Sequence, residues 1–160
     1  MIHREKMEIG RRHPPHLPQI ERHNQAVILL VTVCTKDRRS ILARQEAFDL
    51  LCSAWRQTVD WRAGRFVIMP DHLHVFCGPA VWPPRGVARW VGFWKATVSR
   101  AWLWPKEQPI WQQNFWDRQL RSGEHYSDRW EYVRQNPVRG GLVANAEDWP
   151  FKGEIEVLRW

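Results

Sequence analysis

Tyrosine is scarce in this sequence: 160 residues hold two, Tyr126 and Tyr132, beside twelve Trp and six Phe. Any chemistry that needs a phenol therefore has two places to reside. Cysteine is nearly as sparse. Cys34, Cys52 and Cys77 make an odd count with no C-x-x-C spacing, which argues against a disulfide framework and a paired-cysteine zinc site. The first 25 residues are polar and lack the apolar core of a secretory leader, and no run approaches the length of a membrane span. A reducing cytoplasm is the expected setting. There is no internal repeat, no low-complexity tract and no composition break that would divide the chain into two domains.

Positive charge is what the chain has in excess. Lys and Arg total 24 against 17 Asp and Glu, a net charge of +7, and 19 of the 24 are Arg. The planar guanidinium fork suits bidentate phosphate contacts. A basic, tryptophan-rich domain of this size fits nucleic acid, where phosphates attract the charge and bases stack on rings. Core packing is the competing use for each Trp.

Periodicity lays out the elements. Residues 1–25, rich in Arg, His and Pro, read as a basic arm. Ala26 to Thr35 is an apolar, β-branched strand. Ala47, Leu50, Leu51, Ala54, Trp55 and Thr58 form a helical stripe within 44–62, which Gly64 is expected to stop. Arg65 to Met69 and His72 to Cys77 are strands joined by a Pro70-Asp71 turn, and Gly78 to Arg85 is a loop. Val87, Trp90, Val91, Trp94, Val98 and Ala101 make a second helical stripe, Trp111 to Arg121 is strand-like, and a last helix runs from about 124 to Asn136, before Pro137. The order β-α-β-β-α-β followed by an extra helix predicts an α+β, ferredoxin-like fold, an antiparallel sheet with helices on one face. The domain is expected over 26–151, with 152–160 as a short tail.

Two patterns within that frame carry chemistry. His72-Leu73-His74 sits in a strand, so the imidazoles project from one face with Phe76, while Leu73, Val75 and Cys77 face the core. Seven His in 160 residues give such a pair by chance only ~0.3 times, so the pair by itself is weak. The second pattern is Trp130-Glu131-Tyr132-Val133-Arg134-Gln135-Asn136-Pro137. Tyr126, Trp130 and Val133 fall on one apolar stripe, whereas Tyr132 and Asn136, four apart, share a different face. Two imidazoles and an amide oxygen can hold a divalent metal beside the Tyr132 hydroxyl. A free phenol with a pKa near 10 needs such help to attack a phosphodiester at neutral pH. The mixed donor set suits Mn²⁺ better than Mg²⁺, with the abundance of Mg²⁺ keeping it as the alternative.

Met69-Pro70-Asp71-His72-Leu73-His74 resembles the histidine-hydrophobic-histidine (HUH) motif of single-tyrosine transposases. The run Trp130 to Val143, with Tyr132, Asn136 and Gly140-Gly141, resembles the tyrosine helix and following turn of one branch, the REP-associated tyrosine transposases. Ile110-Trp111-Gln112-Gln113-Asn114-Phe115-Trp116-Asp117 and Asp148-Trp149-Pro150 extend the resemblance over about residues 27 to 151. It departs after Pro150, where Phe151-Lys152-Gly153 replaces a small, hydroxyl-rich pair. The resemblance implies a ferredoxin-like HUH nuclease fold, His72, His74 and Asn136 as ligands of Mg²⁺ or Mn²⁺, and Tyr132 as nucleophile. It further implies a 5′-phosphotyrosine intermediate, single-stranded or hairpin DNA as substrate, and a monomer in the bacterial cytoplasm, a dimer being the alternative. Lys36, Arg38, Arg39, Lys95, Arg118 and Arg121 are the candidate DNA contacts beside that site. Two rival functions are a hairpin-DNA-binding regulator without catalysis and a metal-dependent phosphodiesterase that uses water.

Overall fold

The computed structural model describes residues 27–121 and 125–159; the basic arm and the connector before the last helix lie outside these. Strand β1 (Leu29–Cys34) is followed by α1 (Gln45–Arg56), β2 (Trp61–Ile68), β3 (His72–Pro79), α2 (Val87–Ala101) and β4 (Trp116–Gln119). Then come α3 (Tyr126–Arg134), α4 (Asn136–Arg139) and β5 (Lys152–Glu154). The strands form one sheet in the order β4-β1-β3-β2-β5, every pairing antiparallel. This is the ferredoxin-like plan expected from the element order, with β5 added beyond β2. Among the described residues no helix is long and apolar enough to cross a membrane.

Both faces of the sheet are covered, so β1 is buried along its whole length. On one face α1 and α2 lay Leu51, Ala54, Trp55, Trp90, Trp94 and Val98 against Val31, Val33, Leu73 and Val75. The rings there meet edge to face or tilted, with Trp55 5.8 Å from Trp94 and 4.9 Å from Phe66. Six of the twelve Trp (55, 61, 90, 94, 102 and 149) are buried, so core packing takes at least half of the tryptophan in this chain. On the other face α3 contributes Tyr126 and Val133, which pack with Ile28, Leu30, Val67, Met69, Phe76 and Trp149.

Two expectations need correction. Gly64 does not stop a helix: α1 ends at Arg56, and Gly64 lies inside β2, where the register with β3 shifts between Ala63 and Phe66. That bulge changes the parity of the strand, so Trp61 and Ala63 on one side of it and Phe66 and Ile68 on the other all reach the α1/α2 face. A side chain at 64 would meet Leu158 at 2.6 Å and the Tyr126 hydroxyl at 2.9 Å, so the close approach demands glycine. The last helix does not end at Asn136. It breaks at Gln135, and Asn136 opens α4 with Pro137 in its first turn, where the missing N–H costs nothing. Within the segment 152–160, β5 pairs with β2 and the Ile155 and Glu156 amides bond to the Gly64 and Ala63 carbonyls. The strand expected within Trp111–Arg121 narrows to β4, with Trp111 making an isolated bridge to Thr35.

Candidate active site at the histidine pair

The register places Cys34 opposite His72 and Thr32 opposite His74, at the end of β3 that follows the Pro70-Asp71 turn. Strand parity acts as read from the sequence: Leu73, Val75 and Cys77 join the α1/α2 core, and Phe76 joins the α3 core. The two imidazoles stand side by side with centroids 5.0 Å apart and planes at 84°.

Each ring is oriented through Nδ1. His72 Nδ1 is 2.7 Å from a carboxylate oxygen of Asp71, and His74 Nδ1 is 2.8 Å from Oγ1 of Thr32. With Nδ1–H of His72 donating to the carboxylate, its Nε2 keeps a lone pair. The Arg38 nitrogen 3.4 Å from the same Nδ1 is then a neighbouring donor and not a partner. Arg38 bonds instead to the other Asp71 oxygen at 2.9 Å. Burial alone would raise the Asp71 carboxyl, but the hydrogen bonds from His72 and Arg38 outweigh it and hold it at about 2. His74, 7 % exposed, is kept well below the usual imidazole range, first by burial and then by the charges of His72, Arg129, Arg139 and Arg38. A neutral ring is the form that ligates a cation. Carboxylate or hydroxyl on one nitrogen and a lone pair on the other is the arrangement that orients metal-binding histidines.

The two tyrosines of α3 have separate fates. Tyr126 is buried against Phe76, its ring 5.0 Å away, and its hydroxyl accepts from the Arg65 amide at 3.1 Å. Burial pushes its phenol up to about 12. Tyr132 is 39 % exposed and has two guanidinium groups near its ring, Arg139 4.1 Å and Arg129 5.1 Å from the centroid. Arg139 also donates to the Tyr132 carbonyl oxygen at 2.7 Å and to Oδ1 of Asn136. Val133 packs with Val67 and Met69, a side chain at Gly140 would meet Met69 at 3.5 Å, and the Met69 amide donates to the His72 carbonyl oxygen at 2.8 Å, so the α3–α4 junction lies over the end of the sheet where the histidine strand begins. Among the described residues no three His, Cys, Asp or Glu gather as a metal site.

No family model matches the chain. It is 29 % identical over 87 residues to the REP-associated tyrosine transposase of Escherichia coli K12, covering 54 % of this chain and 50 % of that protein. It is 26 % identical over 115 residues to a candidate REP-associated tyrosine transposase of Haemophilus influenzae, covering 62 % and 64 %. Its fold superposes on a REP-associated tyrosine transposase solved bound to a REP hairpin, with a TM-score of 0.65, 24 % identity, and coverage of 85 % of this chain and 82 % of that one. In sequence and in fold the chain is similar to REP-associated tyrosine transposases. A candidate transposase from Deinococcus radiodurans R1 shares the fold at a TM-score of 0.52 and 18 % identity, covering 75 % and 97 %. The matched portions span half to two thirds of the two curated relatives' lengths.

Against the REP-associated tyrosine transposase expectation, the candidate DNA contacts divide. Lys36 is exposed just after β1. Arg38 serves Asp71, and Arg39 is tied to the Lys36 and Pro109 carbonyls. Lys95 is half-buried, with Nζ 2.8 Å from the Gln112 carbonyl oxygen, and desolvation lowers its pKa. It holds the 111–112 segment, as does the Trp111 indole, which donates to the Lys95 carbonyl and meets Trp94 edge-on at 5.6 Å. Trp111 is thus committed to the α1/α2 face. Arg118, exposed on β4, pairs with Leu30, and Trp116 pairs with Thr32, so both belong to the histidine face. Arg121 is exposed beyond β4. Thr32, Asp71, Arg129 and Arg139 were not singled out from sequence. The carboxylate directly before His72 and the arginine three residues after Asn136 were the available signals.

Proposed function

We propose that this chain is a single-tyrosine HUH transposase that cuts and rejoins single-stranded DNA at a hairpin, with Tyr132 as nucleophile. The observation that carries the reading is the pair of oriented imidazoles on the face covered by α3 and α4. His72 and His74 each spend Nδ1 on Asp71 or Thr32, and Tyr132 and Asn136 are joined through Arg139. Similarity to the REP-associated tyrosine transposases supports the substrate class.

The donor chemistry fits a divalent ion. His72 Nε2, His74 Nε2 and Asn136 Oδ1 would hold Mn²⁺ or Mg²⁺, which when bound draws charge from a scissile phosphate oxygen. The chain's own residues do the rest. The Tyr132 hydroxyl gives up its proton and its oxygen attacks phosphorus. The P–O3′ bond breaks, the departing oxygen takes a proton to become a 3′-hydroxyl, and the 5′ side stays linked to Tyr132. A 3′-hydroxyl then attacks the phosphotyrosine, restoring the DNA ester and the free phenol. One ester replaces another, so no external energy source is required. Arg118 and Lys36 supply phosphate contacts at the margin of the histidine face, and Trp116 offers a ring to a base at about 1–3 kcal/mol. Tyr132 serves the site of its own chain, in a monomer.

The test is 3′-end-labelled hairpin-bearing single strand incubated with the full chain and Mn²⁺, resolved on a denaturing gel. Label should migrate with protein, and perfect duplex should compete poorly. Cleavage that leaves a free 5′-phosphate would assign attack to water, and binding without cleavage would assign a regulator. A mixture of Tyr132→Phe and His72→Ala chains should stay inactive; recovered cleavage would show that tyrosine crosses between subunits.

A further inference from the structure

Arg139 occupies the oxygen that the proposed site needs. Its guanidinium donates to Oδ1 of Asn136 and to the Tyr132 carbonyl oxygen, and its Cζ lies 4.1 Å from the centroid of the Tyr132 ring. One side chain therefore touches the end of α3, the ring of the nucleophile and the carboxamide that opens α4. Part of the reach follows from spacing, since Arg139 comes three residues after Asn136 within α4 and so shares its side of that helix.

We propose that Arg139 is a positioning residue that latches Tyr132 to Asn136 and competes with the divalent cation for the Asn136 oxygen. This rests on the reading of Asn136 as a ligand given above. A carboxamide oxygen has two lone pairs, so shape alone leaves room for two partners. Charge opposes it, because guanidinium is permanently cationic and a divalent ion on the same oxygen would face it at contact range in a partly buried site. Each cation thus weakens the hold of the other, and the coupling is reciprocal. A released guanidinium has a destination in the incoming phosphate, whose oxygens match its fork. Ion and DNA then favour the same open state of the latch, so each strengthens binding of the other. Closed, the latch holds Tyr132 in place before substrate arrives.

The experiment titrates the full chain with Mn²⁺ and reads free ion from its paramagnetic resonance signal, without DNA or turnover. If Arg139 covers Asn136 in about nine of ten molecules, Arg139→Ala should bind Mn²⁺ about tenfold more tightly than wild type. Arg139→Lys, which keeps the charge, should bind close to wild type. Arg129→Ala, which removes the other cation on the Tyr132 ring, should tighten binding less. In an Asn136→Ala background Arg139→Ala should add nothing, and far-ultraviolet dichroism checks that every variant is folded. Unchanged or weaker binding by folded Arg139→Ala would overturn the latch, as would equal tightening by Arg129→Ala, which would reduce the effect to net charge. Wild type that binds no Mn²⁺ would overturn the metal reading itself and the latch with it.

Discussion

Beneath α1 and α2 the sheet is closed by indoles and aliphatic side chains, whereas beneath α3 and α4 the same strands alternate apolar contacts with Thr32, His72 and His74. Neighbouring residues of one strand are therefore assigned to opposite tasks: Leu73 and Val75 hold the fold, and His72 and His74 flank Leu73 on the other side. The helix over the polar face repeats the division within itself. Tyr126, at its start, is buried with a hydroxyl that satisfies the Arg65 amide, and Tyr132, two turns later, is half-open with two guanidinium groups near its ring. Pleat and helical pitch thus let stability and the proposed reactivity occupy adjacent positions without sharing side chains.

Substitutions that act on one face alone sharpen this comparison. The largest effect is expected from Trp55→Ala, which empties a fully buried site between Phe66 and Trp94. It should cost about 3–5 kcal/mol in a urea unfolding titration while folded protein still cuts DNA. Loss of cutting in folded Trp55→Ala would show that the faces are coupled. Asp71→Asn acts on the other face by weakening the hold on His72 Nδ1. It should lower Mn²⁺ affinity about 10- to 100-fold with little change in unfolding midpoint; unchanged affinity would remove Asp71 from the site. The smallest effect is expected from Tyr126→Phe, which deletes the acceptor of the Arg65 amide. A loss of about 1 kcal/mol of stability with protein–DNA linkage intact is the expected outcome. Loss of linkage would move the nucleophile to Tyr126.

The division between faces was largely legible in the sequence because it rests on periodicity. The i,i+2 spacing of His72 and His74 and the stripe of Tyr126, Trp130 and Val133 each named a face, and the element order named the sheet. What stayed illegible depended on contacts between distant segments. Gly64 looked like a helix terminator because a glycine after an apolar stripe usually is one; its role emerges only when Leu158 and Tyr126 close over the bulge. The strand β5 has the sequence KGE, too short and polar to signal itself, and exists through pairing with β2. Arg38 looked like a free DNA contact, yet the turn after β1, with Asp37 and Arg38 at φ 56° and 54°, aims it at Asp71. Arg139 was visible as a charge and invisible as a latch, since its partners are a carbonyl, an amide and a ring.

The central claim is that the open tyrosine of α3, and not the buried one, bonds to DNA. The most direct measurement digests the protein after reaction with hairpin-bearing single strand and Mn²⁺, and locates the nucleotide adduct by peptide mass spectrometry. The account predicts the added mass on the peptide containing Tyr132, bound through a 5′-phosphate, and no adduct in Tyr132→Phe. An adduct on Tyr126, or cleavage with no adduct on either tyrosine, would contradict it.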